Sequence, residues 1–183
     1  MEDLSNLINK RVENFKSLKS QENNILKAVE IILKALKSGN KILFCGNGGS
    51  ASDSNHLAAE FISRFMRERA SLPAISLSAN NSIITAIAND YDFSRIFSRQ
   101  IEGLANVGDI LFGISTSGKS ENVLKAFEEA KNRGLKTIFL TGKNHSSLEV
   151  DLEINAPSET TAEIQEMHIA VGHIIAELVE NEF

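Results

Sequence analysis

The chain has one cysteine and two prolines in 183 residues, and no stretch of it approaches the roughly 20 apolar residues of a membrane span. A single cysteine excludes an intramolecular disulfide. Cys45 ends the apolar run Ile42-Leu43-Phe44-Cys45 and reads as a small buried hydrophobe, because no histidine follows it at a spacing that suggests a nucleophile. Two prolines and eleven glycines exclude a linker-rich or low-complexity architecture. Positive charge is short too: 19 Lys and Arg stand against 24 Asp and Glu, giving a formal net charge of -5. With no basic cluster to offset that balance, nucleic acid is not an expected partner. The opening Met1-Glu2-Asp3-Leu4 is acidic and lacks the apolar core of a signal peptide, so the cytoplasm is the expected location and no membrane is expected as a partner.

What is present is an ordinary globular composition, 42% hydrophobic and 23% charged, at a length that suits one domain with a sizeable core. Leu4, Leu7, Ile8, Val12, Phe15 and Leu18 recur at helical spacing, as do Ile25, Leu26, Val29, Ile32, Leu33 and Leu36. Ser20-Gln21-Glu22-Asn23 interrupts the two helices, and Gly39-Asn40 ends the second. Residues 1–38 thus form a helical extension ahead of an α/β core at 39–183. From Lys41 the pattern alternates. Strands are expected at 41–45, 74–77, 109–114, 136–140 and 152–154, and helices at 50–68, 81–89, 94–105, 121–133 and 160–180. Repeated β-α units with apolar strands mean a parallel sheet with helices on both faces. Such sheets bind ligands beyond the carboxyl ends of their strands.

Two of the loops at those ends are rich in Gly, Ser and Thr. Gly46-Asn47-Gly48-Gly49-Ser50 lets backbone approach a ligand ahead of a helix N-terminus, or simply makes a tight turn with Ser50 as the cap. Ser115-Thr116-Ser117-Gly118-Lys119-Ser120 puts four hydroxyls where a strand enters a helix, and a phosphate needs several such donors. It is not a nucleotide-binding P-loop, since Gly-x4-Gly-Lys-Ser/Thr is absent. Two hydroxyl-rich loops at two strand ends favour a monophosphate ester. His56 and Glu60, four apart on the intervening helix, share a face and suit either a divalent metal or acid–base work, or make a plain surface contact. Gln165 and His173 lie eight apart on the last helix, roughly 12 Å along its axis. They reach one metal only through converging side chains, or they serve different pockets across a subunit contact. His168 sits between them and reads equally as a histidine satisfied at a helix interface. Asn89-Asp90 ends a helix, as a turn or as a hydrogen-bonding partner for sugar hydroxyls.

Together these motifs resemble the phosphoheptose isomerase family of SIS-domain (sugar isomerase) proteins. The residues that carry the resemblance are Gly46-Asn47-Gly48-Gly49-Ser50-Ala51, His56-Leu57-Ala58-Ala59-Glu60, Ala86-Ile87-Ala88-Asn89-Asp90 and Gly113-Ile114-Ser115-Thr116-Ser117-Gly118-Lys119-Ser120. Leu140-Thr141-Gly142-Lys143 and Ile164-Gln165-Glu166-Met167-His168 with His173 continue it, so it spans nearly the whole chain in order. The hydroxyl loop says only SIS domain; His56, Glu60, Gln165 and His173 together are more specific. The resemblance implies a single flavodoxin-like SIS domain over 1–183. It also implies interconversion of D-sedoheptulose 7-phosphate and D-glycero-D-manno-heptose 7-phosphate, the first step toward the heptose of lipopolysaccharide core or surface polysaccharide.

The same resemblance implies one zinc per subunit at His56, Glu60, Gln165 and His173, with Glu60 and His173 as the catalytic acid–base pair. It implies a substrate site of Asn47, Gly48, Gly49, Ser50, Asn89, Asp90, Ser115, Thr116, Ser117, Ser120 and Gln165. A homotetramer with active sites at subunit boundaries is implied as well. Two places depart from the family pattern: Glu163 stands where a basic residue is common, and His145-Ser146-Ser147 where a glycine-rich turn is usual. The rival reading is a non-catalytic SIS-domain binding protein, either a partner of a replication initiator or a sugar-phosphate sensor. An isomerase for another ketose phosphate is a further alternative.

Overall fold

The computed structural model describes residues 3–143 and 148–183, so His145-Ser146-Ser147 lie outside the described residues. Helix α1 (Leu4–Ser17) leads through a 3₁₀ turn (Leu18–Gln21) into α2 (Glu22–Lys37). The core then runs β1 (Ile42–Gly46), α3 (Gly49–Ile62), β2 (Ala74–Ser76), α4 (Asn81–Asp90), α5 (Ser98–Leu104), β3 (Ile110–Ser115) and α6 (Glu121–Asn132). Strands β4 (Lys136–Thr141) and β5 (Leu152–Asn155) and helix α7 (Thr161–Glu180) complete it. The sheet has five strands in the order β2-β1-β3-β4-β5, and every pairing is parallel.

Alternate strand residues feed two cores, as a parallel sheet covered on both faces requires. Ile42, Phe44, Ile110, Phe112, Ile114, Ile138 and Leu140 join residues of α2, α3 and α7 on one face. Leu43, Cys45, Leu111 and Phe139 join residues of α4, α5 and α6 on the other. Cys45 is fully buried, and burial pushes its thiol pKa far up, which removes it from nucleophilic chemistry. Helix α2 contributes six buried residues, whereas α1 contributes none. Polar contacts hold α1 to α7 instead. Lys10 Nζ lies 2.7 Å and Arg11 3.6 Å from the buried Glu163 carboxylate. The neighbouring Lys10, then the Ser158 hydroxyl, hold the Glu163 pKa down at about 2.

Two helices depart from the periodicity. The helix expected over 50–68 stops at Ile62, because the chain beyond it is captured from outside. The Glu180 carboxylate accepts from the backbone N–H groups of Phe65 (2.9 Å), Met66 (2.7 Å) and Arg67 (2.9 Å). The Arg69 guanidinium donates to the Glu60 and Phe61 carbonyls, both at 2.9 Å, and so satisfies the open end of α3. The helix expected over 94–105 is split into a 3₁₀ turn (Phe93–Arg95) and α5. The Asp92 side chain caps that turn through Ser94 N–H (2.7 Å), and Ile96 and Phe97 then drive into the core.

Candidate active site

Strands β1 and β3 are neighbours, but the chain leaves β1 for α3 on one face and β3 for α6 on the other. This is the topological switch point of a doubly wound sheet, where a crevice opens beyond the strand ends. Both hydroxyl- and glycine-rich loops border it. The helix that follows each begins without a side-chain cap, at Gly48 for α3 and at Ser120 for α6. Helix N-termini uncapped by side chains favour an anion. Ser120 Oγ turns instead to Ser115 Oγ, 3.0 Å away, which puts two hydroxyls side by side across the loop. Ser50 does not cap α3: it is one position inside the helix and 3% exposed.

The two loops are tied by a side-chain pair that sequence reasoning missed. Asn47 Nδ2 donates to Asn122 Oδ1 and Asn122 Nδ2 donates to Asn47 Oδ1, each at 2.8 Å. Asn122 is buried and its Oδ1 also accepts from the Val123 N–H. No spacing rule pairs residues 75 apart in sequence. Nearby, Asn47, Asp92, Phe93, Ser94, Ser120, Glu121 and Asn122 line a cavity of about 310 Å³.

One helix pair builds the second half of the site. His56 Nε2 lies 3.1 Å from Glu60 Oε1, one turn along α3. His173 Nε2, from α7, lies 3.0 Å from His56 Nε2. The three ligand atoms all fall within 4.8 Å of one another. Gly172 allows this convergence: a Cβ there would sit 2.6 Å from Leu57 Cδ2, in the residue next to His56. Burial holds the His173 pKa below the usual imidazole value, with His56 adding to that effect and Glu60 opposing it. An imidazole in its uncharged form offers a lone pair to a cation. Two imidazoles and a carboxylate converging on one point are a donor set that fits a divalent transition metal.

Asp53, one turn before His56, was also missed. Its position completes an i, i+3, i+7 spacing with His56 and Glu60 that was readable from the sequence. One of its carboxylate oxygens has no hydrogen-bond partner among the described residues. Burial raises the Asp53 pKa to about 6, against the pull of His56. Gln165 lies against the first loop, so close to Gly49 that any Cβ at that position would collide with its amide. Asn89 and Asp90 end α4, hydrogen-bond each other at 2.9 Å and face solvent in the single chain. His168 is fully buried; its Nε2 lies 3.0 Å from the Thr141 carbonyl oxygen at the end of β4, while its Nδ1 has no hydrogen-bond partner among the described residues. A mostly apolar cavity of about 420 Å³ lies elsewhere, between Phe15, Leu18, Lys19, Glu22, Ile25, Leu26, Ile174 and Leu178, and none of these residues belongs to either loop or to the His56–Glu60–His173 cluster.

The doubly wound sheet and the two loops at its switch point define an SIS domain, whose family model matches residues 7–142. Within that class the chain belongs to the phosphoheptose isomerase family. It is 55% identical over 162 residues to the phosphoheptose isomerase of Nitratiruptor sp., a match that covers 87% of each chain. It is 55% identical over 159 residues to that of Thermodesulfovibrio yellowstonii, covering 86% of this chain and 79% of the relative. A phosphoheptose isomerase structure from Francisella tularensis superposes with a TM-score of 0.92 at 34% identity, covering 97% of this chain and 96% of the other. One from Neisseria gonorrhoeae gives 0.90 at 35% identity, covering 97% of each.

Proposed function

We propose that this chain is a metal-assisted isomerase that interconverts D-sedoheptulose 7-phosphate and D-glycero-D-manno-heptose 7-phosphate. The observation that carries the reading is the convergence of His56, Glu60 and His173 from two helices, in a chain of this family. A sensor or adaptor has no need of such a donor set. The reaction takes a proton from C1 of the open-chain ketose and returns one to C2 through an enediol, while a second proton passes from O1 to O2. Glu60 serves as the base at carbon and His173 as the acid at oxygen. The phosphate is anchored by Ser115, Thr116, Ser117 and Ser120 with the α6 N-terminus, so binding remote from the reacting carbons orients them. Asn47, Gly48, Gly49, Ser50, Asn89, Asp90 and Gln165 complete the substrate site in this reading.

His56, Glu60 and His173 would hold the metal, with Gln165 as a fourth ligand brought in from its place on Gly49. We assign the metal as zinc, which would supply Lewis-acid polarisation of the carbonyl. The product would enter heptose synthesis for lipopolysaccharide core or a surface polysaccharide, in the cytoplasm. The working form is a homotetramer of single-domain subunits (residues 1–183) with sites at subunit boundaries. The exposed apolar stripe Leu4, Ile8, Val12 and Phe15 on α1 supports that assembly.

The test is turnover of sedoheptulose 7-phosphate by purified protein, before chelation, after it, and after zinc is restored. Zinc-dependent conversion to the aldose is the expected result; no conversion with any metal overturns the reading. In the same assay Glu60→Gln should lose about 10²–10⁴-fold in kcat. A folded Glu60→Gln protein working at the normal rate would sink the assignment of the base.

A further inference from the structure

The segment after α3 carries a buried charge pair that the proposed reaction does not use. Arg69 Nε and Glu180 Oε1 lie 3.3 Å apart, with side chains 4% and 1% exposed. Removing two charges from water is costly, and such a pair is weak evidence of a stabilising role. What it holds is more informative. Arg69 grips the carbonyl of Glu60 itself, at the end of α3. Glu180, two turns beyond His173 on α7, grips the N–H groups of Phe65, Met66 and Arg67. Burial alone would raise the Glu180 pKa, but those three N–H groups and Arg69 outweigh it and leave it below the usual carboxylate value. The Phe65 ring is thereby set against the imidazole of His173, with centroids 5.2 Å apart and planes inclined at 38°. His173 also meets His56, centroids 5.0 Å apart.

We infer that Phe65 is a positioning residue for the His56–Glu60–His173 cluster, pressed against His173 by the buried Arg69–Glu180 pair. The imidazole packs against both the Phe65 and the His56 rings, so its rotation about the Cβ–Cγ bond is restricted with Nε2 aimed at the cluster. Aromatic contacts of this geometry contribute beyond the area they bury. A donor held in orientation needs less ordering when a ligand arrives. One device thus fixes two of the three donors, Glu60 through its carbonyl and His173 through its ring. The inference rests on the metal reading above.

The experiment compares the full-length parent with Phe65→Leu and Phe65→Tyr, which leave the ion pair in place. Co²⁺ affinity of the metal-free proteins is measured by calorimetry, together with kcat, KM and melting temperature. Phe65→Leu should weaken Co²⁺ binding by about threefold to tenfold and lower kcat by a similar factor, with KM unchanged. Phe65→Tyr, which keeps a ring, should restore both. A lower melting temperature with parental Co²⁺ affinity and kcat would make Phe65 merely structural and overturn the inference. If the parent turns over sugar but binds no Co²⁺, the metal reading fails alone and kcat decides the role of Phe65. If it binds Co²⁺ without turnover, the isomerase reading fails and the affinity decides. A parent that does neither overturns both.

Discussion

Burial of an ionisable side chain without a countercharge leaves a mark on stability, and His168 carries one. Its pKa is lowered from 6.5 to about 4 by burial, with the Thr141 carbonyl pulling weakly the other way. Between those two values the unfolded chain binds a proton that the folded chain refuses. Stability is therefore complete above pH 6.5 and declines as pH falls toward 4, at about 1.4 kcal/mol per pH unit. His168→Gln, which can still donate to Thr141, should flatten that slope by up to one proton in urea unfolding across the window. An unchanged slope would place the titration elsewhere. The Asn47–Asn122 pair makes a second prediction at this scale. Asn122→Ala removes both hydrogen bonds between the loops and should raise KM for the sugar phosphate roughly tenfold, with a smaller effect on kcat. Steady-state kinetics decides it, and an unaltered KM would show that the loops hold their places without the pair. His168 and Cys45 were legible from sequence as interior residues. Asn122 was not, since a lone asparagine after a Ser-rich loop signals only a helix start.

Among the elements, the contact between α3 and α7 governs the site. His56 and Leu57 on one helix meet His173 and Gly172 on the other, so the absence of a side chain at Gly172 sets how closely the donors approach. Gly172→Ala would force the buried Leu57 aside, an overpacking cost of about 1–3 kcal/mol. Part of that cost is recovered from the better helix propensity of alanine. The expected result is a melting temperature lower by roughly 2–6 °C and weaker divalent-metal binding. A variant that keeps full metal affinity would show that the helices tolerate a wider spacing. The same scale explains the two misplaced helix ends. Apolar periodicity continues past Ile62 and through Ile96, but periodicity reports only what a helix could bury. The side chains that stop α3 come from Arg69 and Glu180, and Glu180 is 115 residues away from Phe65.

At the scale of the whole molecule, one apolar stripe stands exposed. Leu4, Ile8, Val12 and Phe15 are between 44% and 69% exposed on a helix that buries nothing. Isolated exposed apolar residues are ordinary, but a continuous stripe marks an interface. The pair Ile8→Glu and Val12→Glu should yield a smaller species by light scattering, with the far-ultraviolet spectrum kept because α1 lies outside both cores. An unshifted mass would show that subunits associate through another face. Asn89 and Asp90, solvent-facing in the single chain, belong to this scale too if a neighbouring subunit completes the site.

The sequence by itself determined the alternating β-α order, the all-parallel sheet with two covered faces, the two ligand loops and the family. Each of these is written in local periodicity and short motifs, which act over a few residues. The resemblance already grouped His173 with His56 and Glu60, but the tertiary structure decided the geometry of their meeting and that Gln165 rests on Gly49, and it alone decided that Asn47 pairs with Asn122 and where α3 ends. The Asn47–Asn122 and His56–His173 pairs join side chains 75 and 117 residues apart, brought together by the crossover at the β1–β3 switch point and by the close approach at Gly172. No local pattern encodes that approach, because packing of the whole core sets it.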